Sequence, residues 1–518
     1  MSPPIHWQSE FLPLAQRYGK RTAVVDLDGA VTYAELFSRA AGVAKALLDR
    51  ATAIGAPVAT YLSNGRAAVW ASYGVTLAGA AEVRLNAALA GDDIAHCIRT
   101  AGIEAVVTSR DRAGAFAPFG IDVLCVEDLG LAGLAALDCP RVPAQGWSRI
   151  GFTSGTTGKP KGIVHSQEGR WIANMLLRAS LGRASGPSNN VLLMTPFSHG
   201  AALMTYAFLD GGAAVTLVPG VDAKVVLPLL QKRAVNQIFA PPTVLAKILG
   251  FLGEQPAPSG GWGIETIYTG TAPLTGTLYR AAREAFGPVV RVTYGMSELW
   301  NPITVLGPEE TDAFYGGYGE PGSACVGWPG GGVEVAIAPA GEEDLEQPPL
   351  GAGALGRVQL RARHLYIGTL VDGAFTPRDP LSAYDTGDLG FVDGQGRLHL
   401  CGRAADVMKS GGYKIAPEEI EQALRQAAAP AEIVVFSLPS DYWGEIVTIA
   451  FCGGTAPDMA AYQQAAAAMT GYKRPRLQVT LPEIPRNSIG KIQRRLARAA
   501  VLERYRLEDG PRPRLVET

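Results

Sequence analysis

The stretch TSGTTGKPKG, residues 153–162, decides the reading of this chain, because it gathers hydroxyls, glycines and two lysines in one short loop. Gly155, Gly158 and Gly162 lack a Cβ, so backbone N–H groups there can close on phosphate oxygens. Thr153, Ser154, Thr156 and Thr157 add hydroxyl donors, and Lys159 and Lys161 offset negative charge. An apolar stretch at 150–152 precedes the loop and Ile163 and Val164 follow it, so it is expected to turn between two strands. A nucleoside-triphosphatase P-loop needs Gly-x4-Gly-Lys-Ser/Thr opening a helix. Here Thr153 stands at the first glycine and Pro160 follows Lys159, which argues for a β-turn-β phosphate loop instead.

With 518 residues, 47% of them hydrophobic, the chain exceeds what one core usually holds, and two or more domains are expected. A formal net charge of −2 gives no reason to expect a nucleic-acid or anionic-membrane partner. The six cysteines are scattered without a C-x-x-C pair and the six histidines never take metal-ligand spacing, which reads as reduced, mostly buried thiols in a cytoplasmic protein. The first twenty residues lack a signal-like apolar core, and the apolar run 67–83 carries too many small and polar residues to span a bilayer.

Working outward, helical and strand patterns alternate. Residues 32–48, 225–233 and 276–286 have helical apolar spacing, whereas 56–62, 103–109 and 236–242 read as strands, an α/β pattern of covered, parallel sheets. The Gly-, Pro- and acid-rich segment 338–356 reads as a surface loop. After Leu400 the texture changes: a polar turn and a Gly-Gly loop precede a helix starting near Pro417, followed by strands at 434–439 and 446–452 and an Ala-rich helix at 460–469. The expected organisation is a large N-terminal α/β domain, 1–402, and a small α+β domain, 403–518.

Four further clusters complete the pattern: YGMSE (294–298), YDTGD (384–388) with Asp388 at a tight turn, GRAADVMKSGGYKI (402–415) and PRNSIGK (485–491). In this order and spacing the chain resembles the adenylate-forming superfamily of acyl- and aryl-CoA synthetases, luciferases and peptide-synthetase adenylation domains. The resemblance covers nearly the whole length and extends to AGAAEVRLNAAL (78–89), GTAP (270–273), SDYWGE (440–445) and GYKRPR (471–476). It implies that ATP converts a carboxylic acid to an acyl-adenylate with release of pyrophosphate, and that the acyl group then passes to a thiol.

The resemblance also implies roles. Thr153, Ser154, Gly155, Thr156, Thr157, Gly158 and Lys159 hold the outer phosphates, with Glu298 and Thr156 as ligands of Mg²⁺. Tyr294 stacks on adenine against a wall of Gly270, Thr271 and Ala272, with Gly295 and Ser297 beside the nucleotide and Ser297 at the α-phosphate. Asp388, with Arg403 near it, accepts from the ribose hydroxyls, and Lys491 places positive charge where the adenylation transition state becomes negative. For the second step the small domain turns about Ala405, bringing Lys409, Ser410, Gly411, Gly412 and Tyr413 to the site in place of Lys491. Relatives usually carry Asp or Lys at the hinge, so Ala405 is a departure.

By the same resemblance His199, Phe239, Leu299 and Trp300 line the acid pocket. The segment PFSHGAAL (196–203) has no aspartate to pair with an α-ammonium, which disfavours an amino acid. An aromatic, alicyclic or medium-chain monocarboxylic acid is expected. The stretch after Lys491 is too short for a carrier domain of ordinary size, so CoA is the expected acceptor. The alternatives are a freestanding ligase loading a separate carrier protein and a non-catalytic nucleotide-binding protein of the same fold. The reading leaves monomer and homodimer both open.

Overall fold

The computed structural model describes residues 2–89, 91–153, 160–253, 255, 257–300, 302–317, 323–339, 348–410, 413–454, 456–486 and 492–517. The expected helices form at Tyr33–Asp49, Ala223–Gln231, Gly276–Phe286, Pro417–Leu424 and Met459–Ala468. Local chemistry sets several of their starts. Thr32 accepts from the Glu35 N–H while the Glu35 carboxylate accepts from the Thr32 N–H, a reciprocal cap, and Pro417 occupies the first helical position, where no N–H is needed.

Among the described residues the strands build a mixed α/β fold with two large sheets. The thirteen-stranded sheet has a parallel half, running from Thr22–Asp26 through Ala214–Leu217, Asn190–Leu193, Gln237–Phe239 and Thr266–Thr269 to Val290–Tyr294. Beyond Val290–Tyr294 it turns antiparallel, through Thr304–Leu306, Ala324–Pro329, Leu398–Arg403 and Tyr384–Val392. The eight-stranded sheet likewise joins parallel strands, among them Pro57–Tyr61, Ala81–Arg84 and Trp147–Thr153, to antiparallel Lys161–Ser166 and Gly368–Val371. The alternating pattern therefore accounts for the parallel halves only. Some antiparallel neighbours, such as Trp147–Thr153 with Lys161–Ser166, are joined by a short segment, whereas others, such as Lys161–Ser166 with Gly368–Val371, come from distant parts of the chain.

Asp388 was expected at a tight turn but lies inside the strand Tyr384–Val392. The glycine beside it, Gly387, has φ 71°, and the pairing register shifts between Leu389 and Gly390, so the signals of a turn here belong to an irregular strand. The helices Tyr33–Asp49 and Arg66–Leu77 pack on one another within the largest hydrophobic core, which includes Tyr33, Phe37, Tyr73 and Phe208. No helix among the described residues is long and apolar enough to cross a membrane. Burial pushes the Cys97 and Cys139 thiols up to about 12.

Residues from Met408 onward build a five-stranded sheet whose two faces carry separate apolar clusters, one including Ile420 and Tyr462, the other Leu438 and Val501. At its edge Arg494 gathers three carboxylates: Glu421 at 2.8 Å, Glu418 at 2.8 Å and Asp406 at 3.2 Å. Burial, reinforced by Glu421, raises the Glu418 carboxyl to about 7 despite that cation. Removing one partner of such a buried group leaves like charges facing one another, at about 3–5 kcal/mol. Arg494→Ala is therefore expected to speed hydrogen exchange in the strands Glu432–Ser440 and Gly444–Cys452 while sparing Val290–Tyr294. Unchanged protection in those two strands would refute the assignment of Arg494 as their anchor.

Candidate active site

Three parallel strands, Gln237–Phe239, Thr266–Thr269 and Val290–Tyr294, end on the same side, and the segments leaving them carry many of the expected residues. Ligands collect at the carboxyl ends of such strands, where backbone groups leave the sheet unpaired. Gly270, Thr271 and Ala272 follow Thr269, with Thr271 at φ 67°. A Cβ on Gly270 would run into the Thr293 carbonyl oxygen, so glycine is what lets this turn approach the strand that delivers Tyr294.

Tyr294 is buried, and its hydroxyl donates to Asp388 Oδ2. Asp388 Oδ1 meets Arg403 Nε at 2.6 Å, from directly across the strand pair, and the Asp388 N–H donates to Thr386 Oγ1 at 3.0 Å. Burial and then the Asp388 charge push the Tyr294 phenol well above its ordinary value, so it stays a donor. Gly295 and the exposed Ser297 follow, and the Ser297 carbonyl accepts from His165 Nε2 at 2.8 Å. Glu298 is half-buried beside the Tyr384 hydroxyl, and its carbonyl accepts from the Tyr366 N–H at 2.9 Å. The structure thus joins Tyr294, Asp388 and Arg403 directly and holds Glu298 four residues along the same segment.

Thr153 ends the strand Trp147–Thr153 and pairs with Lys161 on Lys161–Ser166, two antiparallel strands, as the sequence implied for the segment between them. Ser154, Gly155, Thr156, Thr157, Gly158, Lys159, Gly411, Gly412 and Lys491 lie outside the described residues. His96 Nε2 bonds to the Pro160 carbonyl at 2.7 Å, at the loop's exit. Ala405 is exposed in a short 3₁₀ turn, Ala404–Asp406. Farther on, exposed Lys409, buried Ser410 and exposed Tyr413 belong to the C-terminal sheet, with Tyr413 stacked on Tyr472 at 4.1 Å.

The expected acid-pocket residues are apolar and buried at Phe239, Leu299 and Trp300. Phe239 lies against Gly200, the neighbour of His199, and Trp300 stacks on His165 at 4.4 Å. His199 interrupts its helical turn with φ −116° and ψ −140°, and its buried Nε2 has no partner among the described residues. Sequence reasoning missed three buried arginines around this lining: Arg84, Arg149 and Arg170. Arg149 stands 4.9 Å over the Trp300 ring, and Arg84 lies 5.8 Å from the Phe197 ring. No local signal marked them: Arg84 shares its strand with Glu82 and Arg149 follows Ser148, a mixture of polar and apolar residues that does not announce burial.

Residues 13–368 match the AMP-binding enzyme family. A curated 2-succinylbenzoate–CoA ligase of Bacillus cereus is 27% identical over 495 residues, covering 93% of this chain and 96% of that protein. A Bacillus anthracis protein of the same name is 26% identical, with the same coverage. Among solved structures, the o-succinylbenzoate CoA synthetase of Bacillus subtilis with its acyl-adenylate intermediate is similar with TM-score 0.78 at 22% identity, covering 99% of this chain and 100% of that one. An anthranilate CoA ligase with anthranoyl-AMP gives TM-score 0.81 at 20% identity, covering 96% and 98%.

Burial holds His165, His199 and His364 at about 4, against a usual 6.5, so all three are neutral at pH 7. In the unfolded chain they take up protons from about pH 6.5 downward, whereas the native protein takes them up only near pH 4. Stability is therefore lost as pH falls through that window, and the raised Glu418 opposes this with the opposite sign. Urea unfolding is expected to show lower stability at pH 4.5 than at pH 6.5, and His364→Gln to flatten the slope. An unaltered slope in that variant would remove His364 from the account.

Proposed function

Since this chain belongs to the AMP-binding enzyme family, we propose that it is an ATP-dependent acid–CoA ligase. An oxygen of the acid attacks the α-phosphorus of ATP and expels pyrophosphate. The CoA thiolate then attacks the acyl carbonyl and AMP leaves. The observation that carries the reading is the junction of Tyr294, Asp388 and Arg403 beside the Gly270 turn, a polar, rigid seat at the carboxyl ends of parallel strands. An ionised carboxylate is an acceptor with two oxygens, the chemistry that ribose hydroxyls need, and Asp388 takes that role. Thr153 and residues 154–159 take the outer phosphates, and Ser297 the α-phosphate.

A half-buried carboxylate fits Mg²⁺, which binds through one or two carboxylates together with substrate phosphates and water. Glu298, with Thr156, would hold it, where the ion supplies charge neutralisation for the leaving pyrophosphate. Tyr384 and the Tyr366 N–H fix Glu298 in place from two sides.

The acid lies against Phe239, Leu299, Trp300 and His199, with an apolar, aromatic body favoured by that lining and by relatives named for an aryl acid. We place the domain boundary between residues 402 and 403 and the pivot at Ala405. Turning there exchanges Lys491 for the segment of Lys409, Ser410, Gly411, Gly412 and Tyr413, which admits the CoA arm.

Pyrophosphate release with an acid panel that includes 2-succinylbenzoate and benzoate, with and without CoA, tests the reading. Release together with CoA thioester is the expected result. Release without thioester points to a carrier-protein acceptor, and no release with any acid refutes the ligase assignment. Lys491→Ala is expected to slow adenylation by about 10²–10³-fold yet largely spare thioester formation from a supplied acyl-adenylate. Equal loss of both steps would contradict the exchange.

A further inference from the structure

We propose that the buried guanidiniums of Arg84 and Arg149, backed by Arg170, receive a second carboxylate at the far end of the activated acid, so that the preferred substrate is a dicarboxylate. This rests on the chain being an acid-activating ligase and replaces the expected monocarboxylic acid with a dicarboxylic one.

The placement follows from the strands. Glu82 and Arg84 lie two residues apart on Ala81–Arg84 and share a face, and Arg149 pairs with Glu82 on the neighbouring parallel strand. Arg170 comes from the helix Gln167–Leu181 and stands 5.1 Å from the Tyr206 ring, whose other neighbour, Arg84, is 5.9 Å away. All three arginines are at least nine-tenths buried: Arg84 and Arg149 are 6% exposed and Arg170 is 5%.

The hydrogen-bonding capacity of these groups exceeds what surrounds them. Arg84 Nη1 donates to the Phe197 carbonyl at 3.4 Å and Arg149 Nη2 to the Ser198 carbonyl at 3.1 Å. Nε and Nη2 of Arg84, Nε and Nη1 of Arg149, and Nη1 of Arg170 have no hydrogen-bond partner among the described residues. Glu82 approaches Arg84 at 3.6 Å, and among the described residues no other carboxylate comes within ion-pair distance of the three. His199 and His165 are neutral neighbours and supply no negative charge. A guanidinium does not shed its proton, so one buried with open donors calls for an anion.

The open donors belong to the acid's lining. The two carbonyls that Arg84 and Arg149 hold are those of Phe197 and Ser198, immediately before His199. Arg149 covers the Trp300 ring, and Arg170, Tyr206, Trp300 and the carboxyl of Asp210 line one cavity of about 20 Å³, room for a small polar group rather than for a whole acid. Holding up the turn at 197–199 uses a single N–H from each of two arginines, which leaves the adjacent Nε and Nη2 of Arg84 as a forked edge suited to a carboxylate and single donors on Arg149 beside it.

Adenylation by the full-length protein, read as pyrophosphate release, tests this with matched acids: benzoate against phthalate and isophthalate, hexanoate against adipate, and 4-phenylbutanoate against 4-(2-carboxyphenyl)butanoate. The expected result is a diacid exceeding its monoacid partner by about 10²-fold or more in kcat/KM, with Arg149→Gln lowering that ratio at least about tenfold, chiefly through KM for the diacid. Monoacids used as well as diacids by the parent enzyme overturn the inference while leaving the ligase reading intact, whether or not the variant folds. A diacid preference that survives Arg149→Gln also overturns it. Failure of every acid to release pyrophosphate overturns the ligase reading, and this inference with it.

Discussion

The carboxylate of Asp388 is the contact on which the site's geometry depends. It accepts from Tyr294, the last residue of the parallel run, and pairs with Arg403, the last residue of an antiparallel strand. One side chain therefore ties the parallel half of the large sheet to the antiparallel half, at the place where the chain leaves for the C-terminal sheet. Charge-assisted bonds in a buried setting are short and directional, so the three groups hold one another's orientation as well as position. The Gly270 turn then packs against the same strand because no side chain intervenes.

Desolvation acts in opposite directions on the groups around that junction. Burial holds the Tyr294 phenol protonated and the histidines His165 and His199 neutral. Neutral imidazoles beside Phe239 and Trp300 add no cation of their own, so the positive charge on that side belongs to arginines, which keep their protons whatever the solvent pH. The junction of Tyr294 and Asp388 is arranged otherwise, with an anion at its centre paired to Arg403.

Much of this was legible before folding. Helical spacing over 32–48 and 276–286, the proline at 417 and the alternation of strands and helices correspond to observed elements, because each is a local property. The clusters around Tyr294, Asp388 and Arg403 could be read as one constellation because each is a contiguous motif. The irregular strand at Gly387 could not, since a glycine and two aspartates signal a turn unless the partner strands are known. Nor could the arginines: Arg84 and Arg149 are ordinary charges in sequence, and only the pairing of their strands and the burial of both side chains makes them unusual. Tertiary burial is the quantity a linear pattern carries least of, and charged groups in strands are where that matters most.

The links between Arg403 and Asp388, and between Asp406 and Arg494, have a mechanical meaning when taken together. The first fixes the end of the large sheet and the second belongs to the C-terminal sheet. Between these two clamped side chains stand Ala404 and Ala405, whose own side chains end at Cβ. Each contributes two soft backbone dihedrals, so a swing that keeps both clamps closed is confined to a very short axle. Were the C-terminal sheet to turn there as proposed, the allowed torsions of two alanines would set the direction, and no side chain on the axle would favour one stop over the other.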